Sequence, residues 1–315
     1  VIFNYENKEI VMAENNEKIL PTVQWFPGHM TKARKIITDN LKLVDVVIEL
    51  LDARIPYSSA NPMLKEIIAD KPRVIALNKA DLADPAITRQ WIASFKAQGI
   101  KAVSVDAMTG KGTKQLVAIT EELARYNTDK LLSKGAIKPR AARVMIIGIP
   151  NVGKSSLINR LAGAARTKTA DKPGVTRAKQ WIRIGKNLEL LDTPGILWPK
   201  FEDMTVGLKL SFTGAINDEA VDREQVVGVF LETMGKLYPQ RLRERYKLDG
   251  ELPAEPMDLL ELIGKKRGCL LKGGIIDTEK AQRIVFTDFR SGKLGLVSLD
   301  VPEKTAESEE NEVAE

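Results

Sequence analysis

A single cysteine, Cys269, among 315 residues leaves the chain without an internal disulfide and without a cysteine-only metal centre. Beside Leu270 and Leu271, that thiol is most simply a core residue. Histidine is equally scarce, and any imidazole chemistry falls to His29. No apolar stretch approaches the length of a membrane span, since the run 43–51 is broken by Asp45 and Glu49. The start lacks the apolar core of a signal peptide, so the expectation is a soluble, cytoplasmic protein with no membrane partner. What is present, 43% hydrophobic and 29% charged residues, suffices for a sizeable core and predicts two domains.

The net charge of +6 is unevenly spread. Residues 302–315 carry one Lys and six Glu, and residues 1–20 carry two Lys and four Glu, so the body between them stands at +13. A body that basic favours nucleic acid or another polyanion, with an unpartnered solvated surface as the alternative. The acidic stretch 303–315 reads as disordered, and 1–20 as an extension without clear periodicity.

Between these ends, strands and helices alternate. Trp25-Phe26-Pro27-Gly28-His29-Met30 reads as a turn leading to a helix at 31–41, with Thr31 as its expected N-cap. Strands are predicted at 44–52, 73–77 and 102–105, with helices at 62–69, 86–98 and 113–126. A polar linker follows at 127–140, then a strand at 144–147, and strands at 180–184 and 188–191. Beyond Gly195 the pattern turns helical, at 218–237, 240–246, 257–266 and 278–290, with Asp258 and Glu261 resembling an N-terminal capping arrangement. The clusters Arg241/Arg243/Arg245/Lys247 and Lys265/Lys266/Arg267/Lys272 suit phosphate contacts, or ordinary exposed helix faces.

The stretch 148–156, Gly-Ile-Pro-Asn-Val-Gly-Lys-Ser-Ser, fits G-x-x-x-x-G-K-[ST] between a strand and a helix, the setting a phosphate-binding loop needs. Asn151, Val152, Gly153, Lys154, Ser155 and Ser156 would cradle a polyphosphate, with Lys154 on the terminal phosphates and the Ser155 hydroxyl on Mg²⁺. Asn78-Lys79-Ala80-Asp81 matches the N-K-x-D guanine-recognition motif of GTPases. The Asp81 carboxylate can accept from guanine N1–H and its exocyclic amine, a donor pattern that adenine lacks. Taken alone, those four residues also suit a helix-capping turn. Asp106-Ala107-Met108 resembles the Ser-Ala-Lys loop that presents backbone to the guanine oxygen, with Asp106 in place of Ser. Asp192-Thr193-Pro194-Gly195 matches D-x-x-G, where Asp192 holds Mg²⁺ through water and the Gly195 N–H meets the γ-phosphate. Thr176 resembles the switch threonine that completes the Mg²⁺ shell.

The order of these motifs is permuted, because base recognition precedes the phosphate loop. Gly195 therefore leads into the helical region, and a change at the γ-phosphate is tied covalently to it. The helix that ordinarily follows switch II becomes the one at 31–41, which puts His29 in the neighbourhood of switch II. Ile196 and Leu197 occupy the positions where many GTPases carry a water-orienting Gln, and neither can hydrogen-bond water. His29 is then a candidate to orient the attacking water or accept its proton, or else a structural residue packed on Trp25 or Phe26. Asn151 has two readings, a turn residue or, as in potassium-stimulated GTPases, a ligand for a K⁺ ion that bridges the phosphates.

The stretches 25–30 and 52–56 (Asp-Ala-Arg-Ile-Pro), the permuted order, and the late strings 266–269 and 288–293 make the chain similar to the bacterial ribosome biogenesis GTPase A family over about 24–299. The resemblance implies an α/β, circularly permuted P-loop GTPase domain at 21–200, with a mostly parallel sheet flanked by helices. An all-α, RNA-binding C-terminal domain at 201–300 would follow. It further implies Mg²⁺ and K⁺ as cofactors, His29 as the catalytic residue, and partners among large-subunit assembly intermediates, rRNA and ribosomal proteins. Two other classes stand beside that reading: a GTP-gated RNA-binding scaffold with incidental hydrolysis, and a GTPase supporting RNA modification, for which no accompanying catalytic domain is visible.

If Asp81 reads the base, Asp81→Asn shifts preference from guanine toward xanthine nucleotides in competition binding. Unchanged GTP affinity in that variant removes Asp81 from the site.

Overall fold

The computed structural model describes residues 2–4, 9–11, 27–68, 71–133, 140–163, 181–191, 195, 197 and 203–302, with backbone alone at 2–4, 9–11, 27–33 and 126–133. Short strands β1 (Ile2–Asn4) and β2 (Glu9–Val11) form an antiparallel pair in the stretch where the sequence shows no periodicity. The principal sheet then builds up from β3 (Val46–Asp52), β4 (Arg73–Asn78), β5 (Lys101–Ser104), β6 (Ala142–Ile147), β7 (Trp181–Ile184) and β8 (Leu188–Leu191). Its order is β5-β4-β3-β6-β8-β7, parallel except for the β7–β8 edge pair. β3 is buried along its whole length, as the covered faces of a parallel sheet require of a central strand. Glu49 in its middle is kept there by an ion pair with Arg73 at 3.1 Å.

Helices α1 (Pro27–Leu41), α2 (Pro56–Ser59), α3 (Pro62–Ile68), α4 (Pro85–Ala97), α5 (Thr113–Ser133) and α6 (Lys154–Ala162) connect the strands. Two sequence expectations are corrected here. α1 begins at Pro27, a residue pre-organised for a first helical turn, so Thr31 is no N-cap and His29 lies inside the first turn. α5 runs on through 127–133, where no Gly or Pro stops it, and the expected linker shortens accordingly. Residues 134–139 lie outside the described residues.

The C-terminal region comprises α7 (Met204–Phe212), a 3₁₀ turn (Asp218–Ala220), α8 (Arg223–Leu237), α9 (Pro239–Tyr246), α10 (Pro256–Lys266) and α11 (Thr278–Arg290). A helix begun at 218 breaks at Val221, because Asp222 caps a new start by accepting from the Glu224 and Gln225 N–H groups. Asp258 makes no cap either: α10 starts at Pro256 after Glu255, which lacks a side-chain cap bond. α7 has no counterpart among the expected helices. Every residue from Thr205 to Phe212 is buried, so it has no polar face to generate an amphipathic period.

One continuous apolar core joins the sheet to these helices. Its aromatic centre is Phe230, with ring centroids 5.2 Å from Phe212, 5.7 Å from Phe286 and 5.0 Å from Phe289. Cys269 is buried and free, in the expected core role, although Leu270 and Leu271 beside it are exposed. No described helix is long and apolar enough to cross a membrane.

The segment after α11 returns to the sheet. Val297 N–H donates to Leu82 O at 3.0 Å, Leu299 N–H to Arg54 O at 2.8 Å, and Asp84 N–H to the Ser298 hydroxyl at 3.0 Å. Asp300 is the knot: its carboxylate pairs with Lys209 of α7 at 2.7 Å and accepts from Ser58 N–H at 2.7 Å and the Ser58 hydroxyl at 3.0 Å. Since Lys209 and Asp300 are both buried, removing one partner strands the other charge. Asp300→Ala should lower unfolding free energy by about 3–5 kcal/mol in urea titration; a change within about 0.5 kcal/mol of zero would discount the pair.

Candidate functional site

The carboxyl ends of β3, β4, β5 and β6 converge, which is where open α/β sheets bind ligands. Asn78, the last residue of β4, is buried and bonded on both sides of its amide. Nδ2 donates to Val152 O at 2.8 Å, and Oδ1 accepts from Ala107 N–H at 3.1 Å. One side chain thus clasps the phosphate loop to the 106–112 loop. Gly153 has φ of 103°, and a Cβ there would collide with Asn78 Nδ2, so the clasp itself requires glycine at that position.

Lys79 follows in a left-handed conformation at φ 59° and lies along the phosphate loop, donating to Asn151 O at 2.8 Å. Its ammonium also pairs with Asp52 Oδ2 at 3.0 Å. Asp81 is exposed beside this loop. Partial burial, and then the Asp106 carboxylate, push its pKa upward from 3.8. A bound donor pair such as guanine presents would favour the charged form.

Asp106 organises its own loop. It accepts from Met108 N–H at 2.8 Å, Thr109 N–H at 3.2 Å and the Thr109 hydroxyl. Those bonds outweigh its burial and hold its pKa below 3.8. Arg160 of α6 braces the loop from below through Nε to Ala107 O at 3.2 Å. Met108 caps this end with a side chain 71% exposed.

In the phosphate loop, Asn151 has φ of 56° and Lys154 is 9% exposed. Lys154 Nζ donates to Ile149 O at 2.7 Å and Gly148 O at 3.2 Å, folding the ammonium back over its own loop. Ser155 is exposed on the first turn of α6. Gly195 comes to the same place: a Cβ on it would stand 2.7 Å from Lys154 Nζ and 3.0 Å from Pro150. The D-x-x-G glycine therefore closes against the phosphate loop. Asn151 Nδ2 points the other way, donating to Gly214 O in the α7–α8 connection at 2.7 Å. Thr176 and Asp192 lie outside the described residues, as does the side chain of His29.

Sequence reading missed the support beneath this site. Asp52 and Arg54 are each 1% exposed, and Arg54 binds Asp52 through Nε at 2.9 Å and Nη2 at 2.8 Å. Burial raises the Asp52 pKa, but Arg54 and Lys79 together hold the carboxyl well below 3.8. The Arg54 guanidinium lies 4.8 Å from the Phe289 ring centroid, so α11 packs onto the same group. The parallel register that sets Asp52 opposite Asn78 was the available signal, and it needs the strand pairing to be known.

A family model described as 50S ribosome-binding GTPase matches residues 143–242. Ribosome biogenesis GTPase A of Bacillus cereus is 54% identical over 289 residues, covering 92% of this chain and 97% of that protein. The protein of the same name from Priestia megaterium is 53% identical, covering 89% and 97%. A solved structure of GNP-bound YlqF from T. maritima aligns with a TM-score of 0.61 at 30% identity, over 87% of this chain and 100% of that one.

Arg54→Gln should weaken guanine-nucleotide binding by about tenfold, because Lys79 is then drawn toward an under-compensated Asp52; a fluorescent-nucleotide titration reads this. Asp52, with its folded pKa depressed, contributes stability that is complete above 3.8 and lost as pH falls through the folded value. The variant should be less stable than the parent chain near neutral pH and lose less stability on acidification below 3.8, because Asp52 is no longer held as far down; an unchanged difference between neutral and acid stability would contradict the pairing.

Proposed function

The chain belongs to the ribosome biogenesis GTPase A family, and from that premise we propose that it is a GTP-hydrolysing switch acting in late assembly of the large ribosomal subunit, in the cytoplasm. The clasp at Asn78 carries the reading, because it holds the base loop, the 106–112 loop and the phosphate loop as one cradle. Asp81 reads the guanine, Ala107 and Met108 line its oxygen edge, and the amides of 151–156 receive the phosphates.

Lys154 leaves its loop carbonyls for the β- and γ-phosphates when nucleotide enters. Ser155, with Thr176 and Asp192, suits Mg²⁺, a hard cation that takes oxygen ligands. When bound, Mg²⁺ neutralises charge developing between the β- and γ-phosphates. The fit is supported by Ser155 standing exposed beside the buried Lys154 and by the close approach of Gly195, which leaves room for no side chain. Asn151 Oδ1 is the group offered to K⁺, while its Nδ2 stays on Gly214 O. His29, on the first turn of α1, is the candidate proton acceptor for the attacking water, a role that the buried, apolar Leu197 after Gly195 cannot fill. The γ-phosphate holds Gly195, and its loss frees the connection into α7, which changes how the helical region at 201–300 presents itself to rRNA and ribosomal proteins.

Unstimulated turnover should be slow, roughly 10⁻⁴ to 10⁻² s⁻¹, the range without an external activator. Large-subunit particles should raise it, in K⁺ more than in Na⁺, and His29→Ala should abolish the stimulated rate while leaving GTP affinity intact. Normal stimulated turnover in that variant ends the catalytic assignment. A scaffold with incidental hydrolysis predicts equal rRNA affinity with GTP, GDP and a non-hydrolysable analogue, whereas a switch requires the affinities to differ.

A further inference from the structure

Seven large apolar side chains are exposed among the described residues, and three of them share one hairpin: Leu270 at 52%, Leu271 at 54% and Ile275 at 65%. The hairpin joins α10 to α11. Leu270 bridges Ile276 antiparallel, Leu271 N–H donates to Ile275 O at 2.8 Å, and Asp277 N–H donates to Cys269 O at 2.9 Å. Gly273 and Gly274 turn the tip with φ of 88° and 82°. The base is fixed in the core by the fully buried Cys269 and by Ile276 packed over Gly264. This is a built projection, with its anchor inside and its apolar residues outside.

The chain leading into it is cationic: Lys265, Lys266 and Arg267 at the end of α10 are exposed, and Lys272 near the tip is exposed too, while the one carboxylate of the hairpin, Asp277, caps α11 by accepting from Lys280 N–H at 2.9 Å. Among the described residues, the one ion pair in this run joins Lys266 to Asp249 at 3.3 Å, at the solvent surface. A protein groove that takes three aliphatic side chains has no need of such a rim, while a polyanion does. Phosphates, however, offer nothing to Leu270, Leu271 or Ile275. In RNA the apolar surfaces are base faces, and A-form helices hide them in the stack, so the accessible ones belong to unpaired loops and bulges.

We propose that the hairpin 269–277, with the basic end of α10 beside it, is a docking finger for single-stranded rRNA: Lys265, Lys266, Arg267 and Lys272 engage backbone phosphates, and Leu270, Leu271 and Ile275 pack against unstacked bases. The finger rests on the large-subunit reading above and gives it a definite contact. None of its residues is among those assigned to nucleotide binding or hydrolysis.

The test uses the full chain with Leu270→Ser, Leu271→Ser and Ile275→Ser combined, and Ile275→Ser alone as a milder variant. Binding to protein-free large-subunit rRNA and to native large-subunit particles is measured across a salt series, with thermal unfolding and unstimulated GTP turnover alongside. The triple variant should bind rRNA at least about tenfold more weakly with the parent's salt slope, Ile275→Ser should lie between, and both should unfold and turn over as the parent does. Replacing Lys265, Lys266 and Lys272 with Gln should instead flatten the slope, by about 0.7 for each phosphate that is no longer neutralised. Undiminished rRNA affinity in the triple variant overturns the finger. So does a loss confined to protein-bearing particles, which assigns the hairpin to a ribosomal protein, or a parent dimer that the variant dissolves with rRNA binding intact, which assigns it to a second copy. A parent chain that binds neither rRNA nor particles overturns the large-subunit reading itself.

Discussion

The buried ion triad of Asp52, Arg54 and Lys79 is the constraint on which the rest of the arrangement depends. Two cations share one carboxylate at 2.8–3.0 Å, with Asp52 and Arg54 almost wholly removed from water. Such a group gains little net free energy over a well-packed apolar one, but breaking it leaves a charge unpaired in the interior. Its effect is geometric. Asp52 fixes where the Lys79 ammonium sits, Lys79 fixes the Asn151 carbonyl, and Arg54 offers its guanidinium face to Phe289 of α11. A single carboxylate at the end of β3 thereby sets the distance between the base loop, the phosphate loop and the helical region.

Around that triad, the permuted order acquires a mechanical sense. Besides the α11 contact at Arg54, the helical region meets this end of the sheet along the chain from Gly195 into α7, through Gly214 to Asn151, and through 297–300 to Leu82, Asp84, Arg54 and Ser58. The last contact is a row of backbone bonds reinforced by the Lys209–Asp300 pair, and it is built to hold. The contact at Asn151 is one exposed side-chain bond and is the lighter of the two.

Short polar signals are legible wherever chemistry and backbone shape demand the same residue. Gly153, Lys154 and Asn78-Lys79-Ala80-Asp81 are such cases, and most strand and helix spans follow from alternating apolar runs. Where the structure departs from expectation, the cause is packing. α7 is buried on all sides and shows no period, α5 continues because nothing stops it, and α1 starts early on a proline that suits a turn equally well. Asp106 shows the same limit at the site. In the sequence its replacement of serine is a departure, yet its carboxylate satisfies the loop amides that hold the turn.

The sequence by itself determined the G-x-x-x-x-G-K-[ST] and N-K-x-D strings, their inverted order and the cationic character of the helical region, because each is carried by residues adjacent in the chain. Only the tertiary structure decided that Asn78 clasps two loops, that Asp52 and Arg54 underlie Lys79, that Asn151 reaches Gly214, and that three aliphatic side chains project from a hairpin beside the basic end of α10. Those facts depend on strand register and on which surfaces the core leaves uncovered. Both are settled by the collective packing of distant segments, and no local run of residues encodes them.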